Sequence, residues 1–337
     1  MATDELVRIE GLKLTFETLY GTVRALNGID LAIKKNEVLG IVGESGSGKT
    51  VLGLSIIRLV PTPPGRIQGG SVFFRGQDLL TLSDKEMDKL RGTNITMIFQ
   101  EPMTALNPVF TVGDQISESV KVRIDRDSER TRSEGKPTAH ESKKTIEREV
   151  TEALRLVRIP DYESIVRRYP HELSGGMRQR VMIAMALAAR PSLMIADEPT
   201  TALDVTTQAQ ILVLMRRLMS EVNTSIAFIS HDLGVIAQIA DRVAVMYAGN
   251  IVEEAPSREL FDNPMHPYTH DLLKSLPSVG TKKLGLEMIA GEVPSLLDLP
   301  PGCAFHPRCK HPTKECLEMI PRLLDLGTDH KVACLSC

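Results

Sequence analysis

Val38-Leu39-Gly40-Ile41-Val42-Gly43-Glu44-Ser45-Gly46-Ser47-Gly48-Lys49-Thr50 is the stretch that decides the fold. Its first five residues are a continuous apolar run, the pattern of a strand buried on both faces. The next eight fit G-x-x-x-x-G-K-[ST], and Thr50 to Val60 then reads as a helix stopped by Pro61. Glycines at these positions let backbone N–H groups turn inward around phosphate oxygens. The helix N-terminus adds partial positive charge. Lys49 supplies a point charge for β- and γ-phosphates, and the Thr50 hydroxyl can ligate Mg2+. The nucleotide-contacting set predicted here is Gly43, Ser45, Gly46, Ser47, Gly48, Lys49 and Thr50.

Working outward, Val7 to Phe16 and Arg24 to Ile33 read as strands around a Tyr20-Gly21 turn. Ser71 to Phe74 before Arg75-Gly76-Gln77 reads as a hairpin edge. Apolar strands follow at Thr96–Phe99, Leu193–Ala196, Ser225–Ile229 and Arg242–Tyr247. Helical patterns fall at Ser174–Arg190, Gln208–Val222 and Asp232–Ala240. Strands alternating with helices imply a parallel α/β sheet. Ser117 to Arg155 is charge-rich, and within it Asp125 to Lys144 reads as a solvated loop or polar helix end. Met177, Met182 and Met185 read as core packing.

The 337 residues have room for one large domain and a smaller one. A net charge of −3 gives no nucleic-acid footprint, so no nucleic-acid partner is expected. The longest nearly unbroken apolar run, Val181 to Ala189, is short of the ~20 residues a membrane span needs. The N-terminus MATDELVRIE lacks the apolar core of a signal peptide. Both readings predict a cytosolic chain whose membrane role would need partner subunits.

Two carboxylates, Asp197 and Glu198, end the strand Leu193–Ala196. Asp197 is placed to hold Mg2+, directly or through water. Glu198, one step further out, is placed to take a proton from an attacking water. Leu173-Ser174-Gly175-Gly176 opens the helix before that strand, where N-terminal amides and a serine hydroxyl make an anion site.

The order phosphate loop, Gln100, Leu-Ser-Gly-Gly, Asp-Glu, Asp204, His231 resembles the ATP-binding-cassette ATPases over about residues 7 to 255. The resemblance implies an α/β P-loop fold with a RecA-like parallel sheet, an antiparallel β subdomain and a helical subdomain at about 101–190. It implies a head-to-tail dimer, in which Ser174, Gly175 and Gly176 touch the partner's γ-phosphate. Gln100 resembles the glutamine that senses Mg2+ and the attacking water, so Thr50, Gln100 and Asp197 are the Mg2+ set. Asp204 would communicate across the dimer, and His231 resembles the switch histidine on the γ-phosphate. An aromatic ring near the end of the first strand would stack on adenine. Phe16 is the first choice and Tyr20 the second, because stacking accepts either ring. Met177 replaces the commonest Leu-Ser-Gly-Gly-Gln glutamine, and Gln179 is the candidate substitute near the ribose.

Further segments resemble the oligopeptide/dipeptide importer branch. They are the phosphate loop, Phe99-Gln100-Glu101-Pro102-Met103-Thr104-Ala105-Leu106-Asn107-Pro108, Met177-Arg178-Gln179-Arg180, and Asn263-Pro264-Met265-His266-Pro267-Tyr268-Thr269. This branch implies ATP-driven uptake of peptides at the cytoplasmic face of the membrane, with nickel or another small solute as the alternative cargo. Its partners would be a second, related ATPase chain, two transmembrane permease subunits and an extracytoplasmic binding protein. Met103, Leu106 and Phe110 are candidate apolar contacts to the permeases. A soluble cassette ATPase of DNA repair or translation is the rival, disfavoured because sustained heptads and a second cassette are absent.

Beyond Pro264 the composition turns to Pro, His and Cys, which predicts a nucleotide-binding domain at 1–260 and an extension at 261–337. All five cysteines lie there: Cys303, Cys309, Cys316, Cys334 and Cys337. Only Cys334 and Cys337 have the C-x2-C spacing of a zinc site, and disulfides are unexpected in a reducing cytosol. The resemblance matches Gly302-Cys303, Arg308-Cys309, Cys316 and Cys334 to a pattern that in some relatives holds a [4Fe–4S] cluster. Four thiolates suit such a cluster. Cys337 could replace Cys334, and His306 and His311 are alternative ligands. The predicted cofactors are therefore ATP, Mg2+ and [4Fe–4S].

Overall fold

The computed structural model describes residues 4–101, 105–133, 143–201, 203–275, 289–327 and 329–336. In chain order the elements are β1 (Glu5–Thr18), β2 (Gly21–Lys34), β3 (Val38–Val42), α1 (Lys49–Ile56), β4 (Gly65–Phe74) and β5 (Gln77–Asp78). Next come α2 (Asp84–Leu90), β6 (Ile95–Ile98), α3 (Val112–Ser133), α4 (Lys143–Leu156), α5 (Tyr162–Ile165) and α6 (Gly175–Ala188). They are followed by β7 (Leu193–Asp197), α7 (Val205–Val222), β8 (Ser225–Ser230), α8 (Leu233–Ile239), β9 (Arg242–Tyr247) and β10 (Asn250–Pro256). The chain finishes with α9 (Ser257–Asp262), α10 (Pro267–Lys274), β11 (Leu324–Asp325) and β12 (Lys331–Val332). It divides into two compact units, Met1–Thr81 with Phe228–Cys337, and Leu82–Ala227.

The first unit holds an antiparallel sheet of order β2-β1-β4-β5. In β1 Leu6 is buried beside Val7, Ile9, Leu12 and Leu14, and these last four follow a period of two with one skip. The skip is a bulge at Gly11, whose φ of 55° lies in the left-handed region. It keeps both apolar pairs on the core face, where each buried Leu or Ile contributes about 1.5–3 kcal/mol. In the same unit β3 runs parallel to β9, and β9 pairs antiparallel with β10. Every residue of β3 and β9 is buried, which is why β3, and β9 after Arg242, read as unbroken apolar runs.

Arg242, at the start of β9, lies among buried carboxylates. Its guanidinium donates to Glu37 at 2.8 and 2.9 Å and to Glu254. Burial opposes charge on Glu37, but the Arg242 hydrogen bond and charge hold its carboxyl below the ordinary range. The tail folds onto this unit: β12 pairs with β10, and β11 with β12.

In the second unit β6 runs parallel to β7, and α3, α4 and α6 pack on one another. Ile116, Val120, Val150, Leu154 and Val181 supply their shared core. Arg123 is buried there beside Glu149, with Nη2 3.3 Å from the carboxylate.

One expectation from sequence is revised, and one that left two alternatives open is decided in part. The first helix ends at Ile56, not at Val60. Arg58 takes φ 51°, Arg58 N donates to Ser55 O, and Leu59 N donates to Leu54 O, which closes the helix as a Schellman turn. Of the two readings of the polar stretch from Asp125, the polar helix end holds as far as Ser133, where α3 ends, while 134–142 lie outside the described residues.

Candidate functional site

In the first unit the phosphate loop joins β3 to α1. Gly43 has φ 152°, and a Cβ there would stand 2.1 Å from Met246 O, so no larger residue fits. Lys49 is 6% exposed and turns back over the loop. Its Nζ donates to Gly43 O and Glu44 O at 2.8 Å each, and to Ser47 Oγ at 3.3 Å. The ammonium is thus fixed at the centre of the cradle, where phosphate oxygens would replace the carbonyls. Ser45, Gly46 and Thr50 are exposed, and Ser47 and Gly48 are buried. His231 is exposed just beyond β8, before Asp232 caps α8 through Gly234 N and Val235 N at 2.7 and 3.3 Å. Phe16 is half-buried in the sheet, whereas Tyr20 in the β1–β2 turn is 88% exposed.

In the second unit Asp197 is buried at the end of β7. Glu198 follows with φ 46°, a left-handed backbone that a non-glycine residue seldom adopts. Gln100 Nε2 and Thr201 Oγ1 donate to the same carboxylate oxygen, Glu198 Oε2, at 3.0 and 2.9 Å. Gln100 and Glu198, 98 positions apart, are therefore brought together.

Ser174 and Gly175 are exposed at the start of α6, where Ser174 Oγ accepts from Met177 N at 3.4 Å. Asp204 caps α7 by accepting from Thr206 N, Thr207 N and Thr207 Oγ1 at 3.1, 3.0 and 2.7 Å. Thr207 in turn packs on Gly176, where a Cβ would meet its Cγ2 at 2.8 Å. The helix N-terminus of α6 and the Asp204 cap are thus one packed unit. Gln179 is 2% exposed, so its side chain belongs to the core and does not supply the ribose contact expected of it.

Near Gln100, Leu106 is buried and Phe110 is exposed, so of the candidate docking residues Leu106 packs internally. Met103 lies outside the described residues. Gln115 pins the loop by accepting from Asn107 N at 2.9 Å and donating to Asn107 O and Phe110 O at 3.0 Å each.

In the tail Cys303, Cys309, Cys316 and Cys334 form no disulfide among the described residues, and Cys337 lies outside them. Cys303 N donates to Cys316 O at 2.9 Å, and Ser336 N to Cys334 Sγ at 3.4 Å. Burial pushes the Cys303 and Cys309 thiols up, and the Cys316 and Cys334 sulfurs raise both further. No group of three or more His, Cys, Asp or Glu among the described residues is spaced to hold a metal ion. Side-chain geometry therefore gives the expected iron–sulfur set, including His306 and His311, no support.

The ABC transporter family matches residues 26–201, and the oligopeptide/dipeptide transporter C-terminal region matches residues 252–316. The oligopeptide transport ATP-binding protein OppD of Bacillus subtilis is 48% identical, over 97% of this chain and 87% of that protein. The dipeptide transport ATP-binding protein DppD of the same organism is 44% identical, over 98% and 94%. The chain belongs to the ABC transporter ATPase family. Its cassette resembles the ATP-binding cassette MJ0796, solved as a dimer bound to ADP and Pi, with a TM-score of 0.63 at 26% identity. That likeness covers 75% of this chain and 99% of the other, and supports the P-loop cassette fold and ATP hydrolysis. No helix among the described residues is long and apolar enough to cross a membrane.

For this ABC ATPase, the sequence did not point to the side chains of Thr201 in the second unit or of Tyr268 and Arg308 in the first. Thr201 stands three residues after Glu198, so its spacing could have suggested a hydrogen bond. Tyr268 and Arg308 lie 224 and 264 positions from the Glu44 they contact, and no local pattern connects them.

Proposed function

We propose that this ABC ATPase hydrolyses ATP to drive import of di- and oligopeptides through a membrane complex. The pairing of Gln100 and Thr201 on one oxygen of Glu198 carries the catalytic reading. Two donors fix the carboxylate one residue beyond the buried Asp197, as a general base requires. Glu198 takes the proton of the attacking water, and Gln100 positions that water. Lys49 and the loop amides hold the phosphates, and His231 contacts the γ-phosphate. Thr50, Gln100 and Asp197 offer the hard oxygen donors that suit Mg2+. When bound, Mg2+ neutralises charge developing between the β- and γ-phosphates.

Ser174, Gly175 and Gly176 act on the nucleotide of a second, related ATPase chain, and Asp204 carries its state across the dimer. The packing of Gly176 on Thr207 supports this, since Thr207 also holds Asp204. Adenine stacks on an aromatic ring of the first sheet, and exposure favours Tyr20 over Phe16. Residues 1–260 act as the nucleotide-binding domain, with the helical part at about 101–190. The exposed Phe110 loop docks the two permeases at the cytoplasmic face, and an extracytoplasmic binding protein delivers cargo.

Peptide cargo is supported by the names of OppD and DppD and by the C-terminal region at 252–316. The test is ATP-driven uptake of labelled peptides by membrane vesicles carrying the complex. Peptide accumulation that needs ATP is expected. Uptake of nickel instead of peptide would overturn the cargo. In the 261–337 extension, the sequence order Cys303, Cys309, Cys316, Cys334 is the ground for reading a [4Fe–4S] ligand set. An anaerobic preparation should then absorb broadly at roughly 400 nm. A colourless preparation containing zinc would refute it.

A further inference from the structure

Glu44 is a carboxylate inside the phosphate loop, where it stands to repel a triphosphate. In the first unit it does not stand alone. Arg308 reaches it from the tail with both terminal nitrogens, Nη1 to Oε2 at 2.7 Å and Nη2 to Oε1 at 3.1 Å. This is the bidentate geometry in which arginine pairs most strongly with a carboxylate.

The arginine is itself held from three sides. Its Nε donates to Ala290 O at 3.0 Å, its Nη1 donates to Tyr247 Oη at 3.3 Å, and its guanidinium carbon sits 5.8 Å from the Tyr247 ring centroid. Glu44 N meanwhile donates to Tyr268 Oη at 2.9 Å. Tyr247, Tyr268 and Phe305 form a buried aromatic cluster with centroids 4.6 to 5.4 Å apart. Phe305 and Arg308 belong to the turn between Cys303 and Cys309, where Arg308 N and Cys309 N both donate to Phe305 O at 3.0 Å. The side chain of Arg308 is 4% exposed and that of Glu44 26%. A guanidinium keeps its proton in proteins, so Arg308 brings a fixed positive charge to Glu44.

We infer that Arg308 is a positioning residue for ATP binding: it neutralises Glu44 and draws its carboxylate off the phosphates. The inference rests on the phosphate loop's being the nucleotide site of this chain. Without Arg308, the Glu44 carboxylate is left as an uncompensated negative charge in the loop that takes the phosphates. Its repulsion acts on bound ATP before and during hydrolysis alike, so affinity falls while turnover at saturation holds.

The experiment is a two-by-two set on the full-length chain: wild type, Arg308→Gln, Glu44→Gln and the double variant. The ATP dissociation constant and thermal midpoint are read on the chain alone, and KM and kcat on the chain paired with its ATPase partner. Arg308→Gln should weaken ATP binding about tenfold and raise KM alike, with kcat within about twofold. Glu44→Gln in that background should restore affinity to that of Glu44→Gln alone, because the repelling charge is gone. Arg308→Lys, which keeps charge but loses the fork, should fall between wild type and Arg308→Gln. If Arg308→Gln does not fold, Arg308→Lys with and without Glu44→Gln makes the same test. Unchanged ATP affinity on losing Arg308, or a loss that Glu44→Gln does not relieve, overturns the inference. A wild type that fails to bind ATP would instead sink the reading of the loop itself.

Discussion

In the proposed function, Glu198 is the residue prepared for chemistry. Its left-handed backbone turns the side chain at the end of β7, and two side-chain donors converge on one of its oxygens. Strain of this kind persists where surrounding contacts over-determine it, and Thr201 is one of those contacts. Thr201→Val keeps the shape and removes the donor. Turnover should fall about tenfold, equivalent to about 1.4 kcal/mol on the barrier, with ATP affinity unchanged. Steady-state ATPase assays and ATP titrations check this, and a change in affinity alone would contradict it. Arg242 makes the same point for stability. Removing it would strand the buried Glu37 carboxylate and leave the buried Glu254 carboxylate with only the Lys331 ammonium, 3.2 Å away. Breaking such a buried pair costs about 3–5 kcal/mol.

At the scale of elements, α10 depends on an uncommon cap. His266 Nδ1 accepts from Tyr268 N at 3.0 Å, and the ring is almost wholly buried. Burial pushes the His266 pKa down from 6.5 to about 4. The unfolded chain therefore takes up the proton first as pH falls. The stability due to neutral His266 is complete above the unfolded pKa and is lost as pH drops from there towards the folded value. Between about pH 6.5 and pH 4 the loss approaches ~3 kcal/mol. Urea melts of wild type and His266→Asn check it, since Asn caps without titrating. From about pH 7 to pH 5 the wild type should lose about 2 kcal/mol more than the variant. Equal losses would contradict the cap.

The strands were the elements most legible in the sequence. β3, and β9 after Arg242, carry unbroken apolar runs because both faces are buried, and their predicted bounds match. The end of α1 was not legible, because Arg58 closes the Schellman turn without the glycine that usually marks one. β11 and β12 were missed because two residues carry no period. In the site, motif positions such as Lys49 and Asp197 were legible because phosphate and metal chemistry fix their spacing. The contact between Glu44 and Arg308 was not, since long-range pairing leaves no local trace.

At the scale of the whole molecule, the chain joins an ABC transporter region at 26–201 to an oligopeptide/dipeptide transporter C-terminal region at 252–316. On this account the Ser174 to Gly176 turn acts on the nucleotide of a partner chain. A monomer should then bind ATP and barely hydrolyse it. The most direct test is Glu198→Gln, which keeps shape and hydrogen bonding but cannot accept the proton. ATP turnover and sedimentation with ATP and Mg2+ are measured on this variant paired with its ATPase partner. The account predicts an ATP-bound closed dimer with turnover nearly abolished at the sites that use Glu198. Near-normal turnover at those sites, with no trapped dimer, would contradict it.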